Sequence, residues 1–131
     1  MRIEEALVTY LTAHTGVKNI IGKRLYAFHA PANVTFPFIT YQRVSTERFL
    51  SHDEPVNDLA TIRVQFDIFA TTYAGALALL DELRDAMQGY QGTMSSMVVQ
   101  AVLPALEQHL DMPDMDYYRV TIDYRISHTE E

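Results

Sequence analysis

The most constraining feature of the sequence is a strict alternation of apolar and polar residues over positions 60–70. Successive side chains of a β-strand point to opposite faces of its sheet, so a period of two residues predicts a strand. One face of this strand carries the apolar side chains of Ile62, Val64, Phe66 and Ile68. The other face carries Arg63, Gln65, Asp67 and Phe69. The pattern therefore predicts a sheet with one face in a hydrophobic core and one polar face.

Related patterns predict the remaining elements. Apolar residues at helical spacing indicate amphipathic helices at 3–14 and 73–88, with Thr71 or Thr72 able to cap the second. Aromatic, β-branched or alternating segments indicate strands at 25–29, 36–46, 97–103 and 117–126. The predicted fold class is α+β, with two helices packed on one antiparallel or mixed sheet of about four to five strands. The elements follow the order helix, strands, helix, strands, and the length of 131 residues predicts a single domain over 1–131.

Chain connectivity predicts the centre of the sheet. A right-handed crossover through the second helix places strand 97–103 parallel to strand 60–70. The last strand, reversed by a hairpin, then lies between them and is antiparallel to both. The register that sets Arg63 opposite Asp123 also sets Asp67 opposite Arg119. Such cross-strand charge pairs stabilise a sheet by roughly 0.2–1 kcal/mol each.

Composition excludes several classes of protein. The absence of cysteine excludes disulfide frameworks, thiolate metal sites and cysteine nucleophiles. The net charge of -7, with Lys18 and Lys23 as the only lysines, argues against sequence-independent nucleic-acid binding. The first residues are acidic and no long apolar run follows, so we expect no leader peptide, no membrane segment and a cytoplasmic site of synthesis.

For each side chain that could carry out chemistry, a structural role fits the sequence better than a catalytic or metal-binding role. The five histidines lack metal-ligand spacing, and His14 closes an apolar helix face. Adjacent residues such as His52, Asp53 and Glu54 seldom converge on a metal, so a solvated acidic loop is favoured there. Asp67 and Asp123 could in principle do acid–base work, but neighbouring arginines favour ion pairs. No nucleophile motif or phosphate-binding loop is present. The sequence therefore predicts a protein that is not an enzyme and has no cofactor or metal.

Apolar residues in polar loops are candidates for a subunit interface. Residues 47–59 have no period and are predicted to form a long loop or arm. A Gly/Ser loop is predicted at 89–96. Interface contact and ordinary packing are equally compatible with the loop hydrophobes. The predicted interface residues in the arm and the loop are Phe49, Leu50, His52, Asp53, Glu54, Tyr90 and Met94.

Several segments together resemble one known family. They are 3–7 (IEEAL) with Tyr10 and Leu11, 21–26 (IGKRLY), 37–41 (PFITY), 63–73 (RVQFDIFATTY) and 118–126 (YRVTIDYRI). In this order they resemble the tail completion, or tail terminator, proteins of long-tailed bacteriophages and prophages. The segment 63–73 is the most specific, and the resemblance covers nearly the whole chain. Arm residues 47–59 do not match the family residue by residue.

The resemblance implies a structural virion protein without catalysis. Members are small subunits that form a six-membered ring on the head-proximal end of the tail tube. The ring ends tube polymerisation and offers a surface for the head–tail connector. It implies assembly in the bacterial host cytoplasm, residence in the virion tail, and passage of DNA through the ring without specific binding. Deletion of residues 51–57 is expected to impair assembly without loss of the fold.

Two other functions remain open on the residues alone. The first is a small ligand-binding α+β domain that acts as a dimer with a pocket between helices and sheet. The second is a hydrolase or metal enzyme that depends on His14, Asp67 or Asp123.

Overall fold

A six-stranded mixed sheet and three α-helices make up most of the part of the chain that the structure describes. The structure is a computed structural model that describes residues 2–49, 58–95 and 97–130. The helices are α1 (Ile3–Ala13), α2 (Thr15–Ile21) and α3 (Tyr73–Met87). The strands are β1 (Leu25–Ala27), β2 (Phe38–Phe49), β3 (Asp58–Ala70), β4 (Gly92–Met94), β5 (Met97–Met112) and β6 (Tyr117–Glu130), with a 3-10 turn at Pro113–Met115. Their order in the sheet is β1-β2-β3-β6-β5-β4.

The predicted fold class is wrong in its number and order of elements. Residues 15–21, for which no helix was predicted, form α2, because His14 ends α1 and begins α2 as its N-cap. The Gly/Ser loop contains β4, which pairs with the start of β5. The described chain thus runs through two helices, three strands, a helix and three strands, instead of two helices on four to five strands.

The three helices pack on the same face of the sheet. The apolar side chains predicted to face the core from β3 are buried, and those of β6 join them. Leu7 and Leu11 of α1 and Leu79 and Leu83 of α3 complete the same cluster. Arg43 of β2 pairs with Glu4 of α1 and fastens that helix to the sheet. No described helix covers the opposite face, which carries the polar residues of β3.

The predicted centre of the sheet is confirmed, whereas its register is wrong by two residues. β6 lies between β3 and β5 and is antiparallel to both, so β3 and β5 are parallel. Asp123 lies opposite Gln65, and Asp67 lies opposite Thr121. A shift of two residues keeps every side chain on its predicted face, because the side-chain period is two.

The predicted arm is shorter than the sequence indicates. β2 extends to Phe49 and β3 begins at Asp58, and the two pair up to Phe49 and Leu59. Cross-strand pairing therefore extends both strands through polar residues that show no alternation of their own. β5 is extended in the same way, through Pro104 at a register shift and on to Met112.

Candidate assembly surfaces

Two ion pairs cross the helix-free face of the sheet. Arg63 donates from Nη2 to Oδ2 of Asp123 at 2.6 Å and from Nε at 3.0 Å. Nη2 of Arg119 lies 3.2 Å from Oδ2 of Asp67, and Thr121 Oγ1 donates to Oδ1 of Asp67 at 2.6 Å. Both pairs are diagonal rather than directly opposite, which is within reach of arginine side chains. The predicted ion pairing of these two carboxylates is therefore confirmed. Both carboxylates bind arginine side chains of the sheet itself.

An aromatic cluster covers one end of the same face. The ring of Phe38 stacks on Phe69 with centroids 4.8 Å apart, and Tyr117 meets Phe69 edge-on at 5.5 Å. Phe36 contacts both Phe38 and Tyr117. Arg119 lies 5.7 Å above the ring of Phe69, which joins the cluster to the ion pairs.

Beyond the short β4, one edge of the sheet is formed by β5, and no other described strand lies outside it. β4 pairs with only the first three residues of β5, Met97–Val99, and the carbonyl of Val102 accepts from the amide of Gly89. Over residues 103–112 no described strand lies outside β5. An unpaired edge offers main-chain donors and acceptors to another strand.

Exposed leucines follow this free edge. Leu103, Leu106 and Leu110 are 59%, 45% and 40% exposed. Their β6 partners are Arg125, Asp123 and Arg119, so all three lie on the helix-free face. The sequence patterns did not predict this row, although the leucines spaced along 103–110 were a signal for it.

The helix-side face of β5 is anchored to α3. His109 Nδ1 lies 2.7 Å from the hydroxyl of Tyr73, at the start of α3. His109 Nε2 lies 2.8 Å from Oε2 of Glu107. Beyond this contact the β5–β6 hairpin ends in an exposed acidic turn with Asp114 and Asp116. The contact holds the free part of β5 in a fixed position.

The other edge of the sheet is formed by β1. Phe28, directly after β1, is 66% exposed and has a positive φ of 65°. Lys23, two residues before β1, is exposed as well. Arg24 donates to the carbonyls of Pro37 at 2.9 Å and Ile20 at 3.0 Å. These bonds fix the α2–β1 corner, so Lys23 and Phe28 extend from an ordered edge.

The predicted interface residues fall into three groups. Leu50, His52, Asp53 and Glu54 lie outside the described residues, and Phe49 is the last residue of β2. Tyr90 is half-buried, with its ring 4.8 Å from that of Tyr10, and its hydroxyl donates to the carbonyl of Thr93 at 3.1 Å. Met94 is 2% exposed and belongs to the core. Packing within the chain accounts for the positions of Tyr90 and Met94.

The histidine that closes the first helix has a structural role. His14 Nδ1 accepts the amide of Val17 at 3.4 Å, and His14 Nε2 lies 3.5 Å from Oδ2 of Asp85. Across residues 2–49, 58–95 and 97–130, no group of three or more metal-ligating side chains converges. None of the helices in these ranges is long and apolar enough to span a membrane.

One half-buried and one fully buried tyrosine lie in or against the core. Tyr10 of α1 donates to the carbonyl of Ala86 of α3 at 2.6 Å, and burial raises the pKa of its hydroxyl. Burial also raises the pKa of Tyr124 to about 12. Side chains of this core fill most of the space between helices and sheet, where a ligand-binding domain would need its pocket. An open cavity of about 470 Å³ remains at the margin, between Arg84 and Gln88 of α3 and residues 104–107 of β5.

Comparison with known proteins gives a family and a fold. A family model described as "Tail completion protein gp17" matches residues 5–129. A chain from the structure titled "Virion of native gene transfer agent (GTA) particle" has a TM-score of 0.75 and 13% sequence identity. The match covers 98% of this chain and 95% of that chain, and at this identity it shows a shared fold. No curated protein matches the sequence.

Proposed function

Because the chain belongs to the tail completion protein gp17 family and is thus a structural tail protein, we propose that it closes a phage tail tube as a ring. Six copies of a single-domain subunit would bind the head-proximal end of the tube. The ring would end tube polymerisation and present the surface that the head–tail connector binds. The subunits would assemble in the cytoplasm of the bacterial host and remain in the virion tail. The match over residues 5–129 carries this proposal, because it spans nearly the whole chain.

The distribution of bonds supports a role without catalysis. The two strand carboxylates that could act as acid and base are buried and paired with Arg63 and Arg119. By contrast, both edges of the sheet expose apolar side chains, and no described strand lies outside residues 103–112 of β5. Head-to-tail contacts between two different surfaces of one chain generate rings when the rotation closes. The surfaces of the described chain therefore suit assembly better than turnover.

The charge of the chain suits a passage for DNA. Six copies carry a formal charge of six times -7, or -42. A predominantly negative ring repels the phosphate backbone, so DNA would pass through it without specific binding.

The native mass of the purified protein tests the ring. We expect a species of about 90 kDa, six times the 15.0 kDa subunit, in native mass spectrometry and light scattering over a wide concentration range. If the free protein is a monomer, the measurement is repeated by electron microscopy on purified tail tubes to which the protein has been added. A fixed dimer with extra bound mass, or tubes that keep growing with the protein present, would contradict the proposal.

The segment between β2 and β3 is proposed to contact the tube or the connector. Replacing residues 51–57 with Asn-Gly keeps a short connection between the paired ends of β2 and β3. We expect unchanged circular dichroism and melting temperature, but abnormal tail length or failed head joining. Replacing Gln91 with Gly in the other loop is the matched control. Normal tails with normal heads would rule out this role for the segment.

A further inference from the structure

We propose that the sheet continues from one subunit to the next, through pairing of the free edge of β5 with the β1 edge of a second copy. The proposal rests on the ring described above and names the contact that would close it. Both edges belong to the same sheet and lie at its opposite ends, as a head-to-tail contact requires.

Strand directions make the two edges compatible. β2, β3, β6 and β5 are successively antiparallel, so β5 runs opposite to β2. β1 is parallel to β2 and therefore also runs opposite to β5. A rotation about an axis along the strands preserves these directions. The β1 edge of a second copy therefore meets β5 as an antiparallel partner, which is the more stable pairing.

The pairing ladder places the two edges at the same height. Leu25 of β1 is level with His109 of β5, and Ala27 is level with Glu107. The first relation runs through Ile39, Ile68 and Val120, and the second through Tyr41, Phe66 and Ile122. The same rotation therefore brings β1 beside the part of β5 that lacks a described partner, and not beside the part that β4 covers.

Each of the two edges exposes a large apolar side chain at this level of the sheet. Phe28 directly follows Ala27, and Leu106 directly precedes Glu107, which is level with Ala27. Phe28 is the most exposed of the large hydrophobic side chains described, and Leu106 is 45% exposed. Pairing of the edges would remove both from water together, and each buried apolar side chain favours association.

Opposite charges lie near each other at the other end of the contact. Lys23 lies in the turn just before β1, and Leu25, the first residue of β1, is level with His109 near the end of β5. That turn exposes Asp114 and Asp116. A second copy of this chain therefore matches the edge in strand direction, apolar contact and charge.

Disulfide cross-linking tests the contact, because the natural chain has no cysteine. Phe28→Cys and Leu106→Cys are introduced together, and the ring, free or on tail tubes, is oxidised. We expect a ladder of covalent oligomers up to six subunits, because each copy contributes one cysteine to each of two neighbours. Either single variant should remain monomeric on a denaturing gel.

Val98 provides the matched control. It lies on the same strand and is 45% exposed, but β4 covers its edge. Phe28→Cys combined with Val98→Cys should give no ladder. Covalent dimers from a single variant would indicate a symmetric contact and overturn the proposal. Six-fold rings without any ladder would also overturn it while leaving the ring itself intact. Absence of rings both in solution and on tubes would instead contradict the proposed function.

A charge exchange supplies a second test that does not depend on oxidation. We expect Lys23→Glu to raise the concentration needed for half-maximal assembly roughly tenfold, with unchanged melting temperature. Adding Asp114→Lys and Asp116→Lys in the same chain should restore assembly, because the charges are then exchanged across the contact. Lys18→Glu is the control for net charge. An equal effect of Lys18→Glu and Lys23→Glu, or no restoration by the exchange, would overturn the assigned pairing.

Discussion

At the scale of single residues, the hydroxyl of Tyr124 is an unusual feature of the core. The side chain is fully buried, its ring meets that of Phe66 edge-on at 6.1 Å, and its oxygen has no hydrogen-bond partner among the described residues. A buried polar group without a partner costs about 1–3 kcal/mol relative to one that is bonded. Burial also raises the pKa of this hydroxyl to about 12.

Tyr124→Phe is therefore expected to leave the free energy of unfolding unchanged or raise it by about 1 kcal/mol. The variant should also be less sensitive to alkali. A tyrosine in the unfolded chain loses its proton near pH 10, whereas Tyr124 in the folded chain loses it near pH 12. The raised pKa of Tyr124 therefore makes the stability of the folded chain depend on pH. The free energy of unfolding is unaffected below pH 10 and falls as the pH rises from 10 towards 12, by up to ~1.4 kcal/mol per pH unit. Urea unfolding at pH 8 and pH 11 measures both effects.

Tyr26→Phe is the control for this prediction, since Tyr26 is only half-buried. The prediction fails if Tyr124→Phe lowers stability at pH 8 by more than 1 kcal/mol. It also fails if the variant and the natural chain lose the same stability between pH 8 and pH 11.

The ion pairs of the helix-free face show that the sequence predicted the face on which a side chain lies but not the strand register. The alternation in β3 and β6 placed Arg63 and Asp123 on one face, and their contact is present at 2.6 Å. The register that suggested it is wrong by two residues, since Arg63 lies opposite Arg125. Alternation fixes the face of a side chain, whereas the register depends on turns and on packing that the alternation does not encode. Long arginine side chains reach diagonally and conceal such an error.

At the scale of elements, the start of α3 has the clearest local cause. Thr72 is the N-cap, and its Oγ1 accepts the amide of Gly75 at 3.0 Å. This bond satisfies one of the amides that a helix leaves without an internal partner in its first turn.

Thr72→Ala should lower the free energy of unfolding by about 1 kcal/mol, because the amide of Gly75 loses its acceptor. Thr71→Ala, one position earlier and equally exposed, should change it by less than about 0.5 kcal/mol. Thermal and urea unfolding of the two variants side by side measure the difference. Equal losses would show that the helix start does not depend on this cap.

Elements whose own residues show a clear hydrophobic period were predicted well. Elements that form only through pairing with a neighbouring strand were not. β3 and α3 lie within two residues of their predicted bounds, because each has a clear period. The second half of β5 was not predicted as a strand, since residues 103–110 are exposed on both faces and show no period. Its extended form comes from pairing with β6 and from the bond of His109 to Tyr73. The exposed leucines were missed for the same reason.

At the scale of the whole molecule, the protection of backbone amides against hydrogen exchange is expected to fall from the central strands of the sheet to its edges. β3 and β6 each pair on both sides, whereas β5 over residues 103–112 pairs on one side among the described strands. In the unassembled protein, amides of β3 and β6 should therefore exchange with solvent most slowly. Amides of 103–112 that point away from β6 should exchange fast, with the amides of β5 that face β4 as an internal control. Residue-resolved hydrogen exchange by nuclear magnetic resonance makes the measurement. Uniform protection along both edges of β5 would contradict the assigned free edge.

The position of β6 has a consequence for how the molecule is made. It is the last strand along the described chain, yet it alone joins β1-β2-β3 to β5-β4 in the sheet. Arg63 and Asp123, which pair across this junction, are 60 residues apart in sequence. A nascent chain that has emerged from the ribosome only as far as β5 holds two sheet fragments with open central edges. The step that completes the sheet therefore follows synthesis of β6, and before it β3 is available to wrong partners. Chains interrupted before β6 should accordingly be targets for chaperones and proteases rather than partly working subunits.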